Sequence, residues 1–186
     1  MNKKIDLRVI KTKKNLYDSL LDIMRNKAFE EIKVSDICDK ALINRSTFYA
    51  HFNDKYELLY SLISDLKNDL TGELSKNNNI ESPKEYYMEM IKLFFNHMDN
   101  NIDTYSAIIK NNDNSIILDM TYDTIINDLN NNLKNINTGN IPVEFISKFY
   151  IGAVSAVGLD YLRNPKKNKK EKVIEYLNQL LPDKIY

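Results

Sequence analysis

The chain has 186 residues, of which 43% are hydrophobic and 28% charged, enough for a substantial core or for a small helical head on a larger helical body. Its 26 basic residues balance its 26 acidic ones, which excludes a protein that coats nucleic acid indiscriminately. One cysteine excludes an internal disulfide, and four glycines and four prolines with no period-two alternation exclude a sheet-rich fold.

The expected class is therefore all-α, with about nine helices. Charge is distributed unevenly along them: residues 1–55 carry twelve Lys and Arg against eight Asp and Glu, a net of +4 that the remainder cancels. With no secretory h-region and no apolar run expected to cross a bilayer, a cytoplasmic protein without membrane contact is the expectation.

Residues 6–28 read as a first helix, with Ile10, Tyr17, Leu21, Met24 and Ala28 spaced as one apolar stripe. Lys3, Lys4, Arg8, Lys11, Lys13 and Lys14 crowd its start, either as a solvated face or as phosphate contacts. A second helix is expected over residues 34–41, where Val34, Ile37, Cys38 and Ala41 share a face. Cys38 reads there as a small buried hydrophobe, since no histidine or cationic cluster marks it as a nucleophile.

After the turn at Leu42 and Ile43, Asn44 suits the N-cap of a helix over residues 45–52. Phe48 and Phe52, four apart, anchor that helix inward, leaving Arg45, Ser46, Thr47, Tyr49 and Ala50 to face outward. Asp54 and Glu57 then form a D-x-x-E capping box for a long helix toward residue 74.

Residues 75–79 read as a linker, and Ser82-Pro83 restarts the chain as N-cap and first turn of a helix to about residue 98. Further helices are expected near residues 103–109, 115–133 and 142–162, with a last one over residues 169–181 ending at Pro182.

The segment from Asn44 to Phe52 has the make-up of a helix that reads DNA: short polar groups and one long donor at its N-terminal end, bulky anchors behind. Arg45 is the candidate for a base contact, because a guanidinium can bond guanine O6 and N7 together. Thr47, Tyr49 and His51 suit phosphates, Tyr49 also a thymine methyl, and Lys55 adds its charge beside free amides at the next helix start.

The order Ala41, Ile43, Asn44, Arg45, Ser46-Thr47-Phe48-Tyr49, His51-Phe52, Lys55, Glu57-Leu58-Leu59 resembles the TetR/AcrR family of bacterial transcriptional regulators, over about residues 29–62. The resemblance implies a DNA-binding head over residues 1–53 and a helical body over residues 54–186 that dimerises and takes up a small effector. It also implies a homodimeric repressor on a palindromic double-stranded operator, contacted by Asn44, Arg45, Ser46, Thr47, Tyr49, His51 and Lys55.

Three positions depart from the family pattern. Leu42 stands where glycine is usual, so either a left-handed residue costs about 1 to 2 kcal/mol or the turn differs. Lys33 replaces the usual threonine, so the second helix loses its cap or shifts it to Ser35. Asn44 replaces the common serine, an equivalent N-cap.

In the body, the run from Lys148 to Pro165 alternates large and small residues and resembles a C-terminal domain of one branch of the family, with Phe149, Gly152 and Ala153 near the helix start. Tyr161 stands where that branch has a bulky aromatic, usually tryptophan. Paired with the helix carrying Val173, Ile174, Leu177, Leu180 and Leu181, it is expected to form a four-helix dimer interface; the other reading is an ordinary core helix.

Tyr87, Met90, Phe94, Met98, Tyr105, Met120 and Tyr122 are soft or amphipathic side chains that suit a pocket for an apolar or aromatic effector, and equally a plain core. No cofactor, metal or catalytic group is expected: His51 lies inside the DNA motif, His97 is isolated, and Glu85 and Glu89 read as a solvated pair. The competing class is a helical adaptor or coactivator acting through protein contacts.

Overall fold

The computed structural model describes residues 7–74, 83–112, 116–133 and 140–180, and every regular element among them is helical. The chain runs α1 (Leu7–Met24), a 3-10 turn (Phe29–Glu31), α2 (Val34–Ala41), α3 (Arg45–Tyr49), α4 (Lys55–Leu74), α5 (Pro83–Asn100), α6 (Ile102–Asn111), α7 (Ile116–Leu133), α8 (Val143–Arg163) and α9 (Lys170–Leu180). The expected linker at residues 75–79, the cap at Ser82, Lys3 and Lys4, and the end at Leu181-Pro182 lie outside the described residues.

The first helix differs from its expectation in extent and in face. It ends at Met24, because the chain turns there into the 3-10 segment, and its buried line is Leu16, Ser19, Leu20 and Met24. Ile10, assigned to the apolar stripe, is 47% exposed, and its neighbours from Leu7 to Lys11 are exposed as well. Tyr17 and Leu21 pack against the core from one side.

Leu16, Leu20, Met24, Phe29, Ile32, Ile37, Cys38, Phe48 and Phe52 form one buried cluster together with Leu58, Leu59 and Ile63 of α4 and Ile108 of α6. The head's core thus continues into the body without a break. Polar groups close the same seam: the Tyr17 hydroxyl donates to Asp65 at 2.7 Å, and the Asn111 side-chain amide donates to the Arg25 carbonyl at 2.7 Å. The buried Asn112 side chain accepts from the Phe29 N–H at 2.7 Å and donates to the Ile108 carbonyl.

The body holds two further clusters. Met88, Ile91, Phe95 and Met98 of α5 pack with Ile109, with Tyr161 and Leu162 of α8, and with Val173 and Leu177 of α9. Tyr87 of α5 packs with Ile126 of α7 and Ile146, Tyr150 and Ile151 of α8, its ring stacked on that of Tyr150 at 4.7 Å. Gly158 of α8 lies against this packing, where a Cβ would sit in van der Waals contact with Phe94 and Met98 at 3.4 Å or more.

Contrary to expectation, α8 is long and apolar enough to cross a membrane, with a mean hydropathy of 1.2. Its inner face is already engaged: Ile146, Ser147, Tyr150, Ile151, Gly158, Tyr161 and Leu162 are buried within the body. The opposite face carries Phe145 and Phe149, both largely exposed.

Candidate nucleic-acid interface

The turn between α2 and α3 is set by backbone bonds at the end of α2. The Leu42 N–H donates to the Asp39 carbonyl at 3.3 Å and the Ile43 N–H to the Cys38 carbonyl at 3.0 Å, the pair of bonds that ends a helix through a left-handed residue. Leu42 is that residue, with φ 55° and ψ 42°, the only non-glycine at positive φ among the described residues. Of the two alternatives for this position, the strained one is realised. The Asn15 side chain of α1 also donates to the Ala41 carbonyl at 2.7 Å, tying the end of α2 to α1.

The start of α2 shows how a helix without a Ser or Thr cap is held. Lys33 occupies the N-cap position with no side-chain cap, and the shift to Ser35 does not occur. Instead the Asp36 carboxylate accepts the Lys33 N–H and pairs with Lys27 at 2.8 Å. The Lys27 bond, chiefly, holds the Asp36 carboxyl below its ordinary range.

Asn44 begins α3 in an extended conformation, but its side chain makes no capping bond and is exposed. Phe48 is fully buried and Phe52 nearly so, their rings 5.9 Å apart, which pins α3 to the core from one side. On the other side Arg45, Ser46 and Tyr49 are exposed, Tyr49 at 55%, and Thr47 and His51 are half-buried. The helix is shorter than expected, ending at Tyr49, with the chain turning on through His51 N–H to the Phe48 carbonyl. The structure therefore brings Asn44, Arg45, Ser46, Thr47, Tyr49 and His51 together around one short helix.

Lys55 is placed otherwise. Its ammonium donates to the carbonyls of Phe29, Glu30 and Ile32 at 2.8, 2.8 and 2.9 Å and lies 4.8 Å from the Phe29 ring centroid. An ammonium has three N–H groups, and all three are engaged. Desolvation in this position lowers its pKa. In this structure Lys55 gathers the 3-10 turn that leads into α2. The start of α4 is also less inviting to an anion than expected, since Asp54 caps the Glu57 N–H at 2.8 Å and Glu57 accepts from the Asn53 N–H at 2.6 Å.

Of the basic residues on α1, Arg8, Lys11 and Lys14 are exposed, whereas Lys13 turns inward, its ammonium 3.4 Å from the Ser61 hydroxyl and over the Phe52 ring. Cys38 is buried, and burial raises its thiol pKa, in keeping with a packing role.

The seven residues suited to an effector pocket do not converge. Met120 packs against the head cluster, Phe94 and Met98 belong to the second cluster, and Tyr87 and Tyr122 to the third. Tyr105 packs against both the first and the second, with its hydroxyl 2.7 Å from His97 Nε2, and Met90 is half-buried on α5. A concavity of about 250 Å³ lies elsewhere, between α8 and α9. Composition identified adaptable side chains, and the helix order then divided them among three interiors.

Sequence reading passed over Asn111 and Asn112 as part of a polar break. The available signal was two amides one residue past the apolar pair Ile108-Ile109, where a helix end must find partners for its polar groups.

Comparison with known proteins bears on the whole chain. Residues 16–62 match the model for bacterial regulatory proteins of the tetR family, and residues 85–183 match that for a transcriptional regulator C-terminal region. The HTH-type transcriptional regulator YxbF of Bacillus subtilis (strain 168) is 42% identical over 62 residues, which span 33% of this chain and 16% of YxbF. The dhaKLM operon transcriptional activator DhaS of Lactococcus lactis is 30% identical over 99 residues, 52% of this chain and 48% of DhaS. The chain thus spans less than half the length of these curated relatives. A TetR-family transcriptional regulator from Syntrophomonas wolfei has the same fold, with a TM-score of 0.69 over 91% of this chain and 92% of its own at 20% identity. With α2 and α3 joined by a tight turn inside the first matched region, and both family regions matched in order, the chain belongs to the TetR family of DNA-binding transcriptional regulators.

Proposed function

We propose that this protein is a homodimeric repressor that binds an inverted-repeat operator through α3 of each copy. The exposed face of α3, backed by buried Phe48 and Phe52, carries the proposal. Arg45 supplies the base contact, a bidentate bond to guanine contributing about 1 to 3 kcal/mol of discrimination. Asn44, Ser46, Thr47, Tyr49 and His51 position the helix on phosphates and sugar, while Lys55 supports it from within. Two copies joined through their bodies set their reading helices about 34 to 36 Å apart, one turn of DNA. The protein acts in the cytoplasm, where its operator lies.

Selection of bound sequences from a random duplex pool at stated salt tests this reading. An inverted repeat that Arg45→Ala binds at least tenfold more weakly supports it, and recovery of no repeat overturns it in favour of an adaptor acting through protein contacts. We further propose release by a small apolar effector that enters the body, whose binding must differ between the free and the operator-bound states. A compound that stabilises the body without changing operator affinity overturns that part.

Activation is the second reading, supported by the 30% identity with an activator over 99 residues. Transcription in vitro from a promoter carrying the selected site distinguishes the two by its direction.

A further inference from the structure

Leu42 is the most exposed large apolar side chain among the described residues, at 92%, and also their only non-glycine at positive φ. Gly, Asn or Asp takes that conformation at less cost, and a leucine left in water recovers none of the difference by burial. Contacts within the chain therefore do not account for a leucine at this position.

Its direction is nonetheless fixed. The residues on either side are held inward, Ala41 at 4% exposure inside the head cluster and Ile43 packed against it. The Asn15 side chain bonds the Ala41 carbonyl at 2.7 Å and the Ile43 N–H bonds the Cys38 carbonyl at 3.0 Å, which fastens the backbone before and after Leu42. The side chain cannot fold back onto the core, and it stands in solvent two residues ahead of exposed Asn44 and three ahead of exposed Arg45. Three residues of chain reach about 10 Å at most, the length of about three base-pair steps of DNA.

Strain that the free chain leaves uncompensated points to a role in a complex. We propose that Leu42 is a specificity-determining residue of the DNA reader, its methyls seated against the C5-methyl of a thymine within about three base pairs of the guanine bonded by Arg45. The thymine methyl is the apolar group that base edges present in the major groove, the groove a reading helix enters. This rests on the reading of DNA by α3 proposed above and adds to it an apolar contact made from the turn before the helix.

Replacing each thymine of the selected operator in turn by uracil tests the contact, because uracil lacks only the methyl. The full-length protein is expected to bind one such duplex about three- to fivefold more weakly, the loss that goes with one buried carbon. Leu42→Gly and Leu42→Asn, both suited to a left-handed residue, are expected to bind the unmodified operator about fivefold more weakly and to be indifferent to that uracil. Leu42→Met is expected to keep both the affinity and the sensitivity to uracil. Leu42→Gly is at the same time expected to be the more stable protein, so weaker binding with a higher denaturation midpoint does not come from damage to the head. Wild-type affinity in Leu42→Gly overturns the contact. Weaker binding by that variant still overturns the thymine assignment if no uracil duplex weakens the wild type, or if the variant keeps the same sensitivity, as a contact from Tyr49 would give. Arg45→Ala separates the two readings: if it binds weakly while Leu42→Gly binds like wild type, only the Leu42 contact falls, and if it too binds like wild type, the reading by α3 falls with it.

Discussion

Leu42 shows what a single residue can cost a reading head. A β-carbon in the left-handed region clashes with the following carbonyl by about 1 to 2 kcal/mol, and a side chain 92% exposed recovers almost nothing by burial. Glycine removes that strain and gives back part of the gain through its freer unfolded chain. Leu42→Gly is therefore expected to stabilise the protein by about 0.5 to 1 kcal/mol, seen as a higher denaturation midpoint at unchanged m-value; a lower midpoint would refute the strain.

Lys55 makes the complementary case, a cation whose charge faces backbone. Lys55→Met leaves three carbonyls without their shared donor and is expected to cost about 2 kcal/mol of stability, since bonds to charged groups contribute about 1.5 to 3 kcal/mol. Because it spends no proton on phosphate, the slope of operator affinity against salt is expected to stay the same in folded protein. A phosphate contact would instead lower that slope by about 0.9.

At the scale of elements, α2, α3 and the start of α4 were legible because each has its own local signals. The i, i+3, i+4 face of α2, the Phe48 and Phe52 anchors of α3, and the Asp54 and Glu57 cap of α4 lie within a few residues of one another. The face of α1 was not legible to the same degree. A helix that packs against α2, α4 and α6 buries more than one stripe, and periodicity alone chose Ile10 and Tyr17 where the structure buries Leu16 and Leu20. The pocket was least legible, since Tyr and Met composition carries no information on which helix interfaces will receive each side chain.

The end of α6 is where element order produces something no local pattern announced. Asn112 is 4% exposed, and it satisfies the Phe29 N–H, a donor just ahead of the reading helices, from 83 residues away. Asn112→Ala strands that buried N–H and is expected to cost about 1 to 3 kcal/mol. Hydrogen exchange should localise the loss to residues around Phe29, while the third cluster around Tyr87 and Tyr150 keeps its protection. Uniform loss across both regions would instead mean that the seam and the distal body open as one unit.

Over the whole molecule, the groups that join its parts are titratable, so stability is expected to report on the joints. The hydroxyls of Tyr17, Tyr105 and Tyr161 have pKa values raised to about 12, in each case chiefly by burial. Tyr17 joins α1 to α4, Tyr105 lies between the first and second clusters, and Tyr161 donates from α8 to Asp99 of α5. In the unfolded chain each deprotonates near 10, so their contribution is complete below pH 10 and is lost as pH rises toward 12. His97, bonded to Tyr105, has its pKa lowered by burial, against the opposing pull of Asp69. The unfolded chain then binds the proton first, and stability is complete above about pH 6.5 and falls as pH drops below it. This acid limb begins well above the carboxylate range, which separates it from Asp36 and Asp99. Urea unfolding at intervals from pH 5 to 12 is expected to trace a plateau between these limits. His97→Gln should flatten the acid limb and Tyr17→Phe part of the alkaline one. If neither variant alters its limb, the joints are held by apolar contact alone, and the Tyr17 hydroxyl bond between α1 and α4 and the His97 imidazole bond between α5 and α6 add nothing to them.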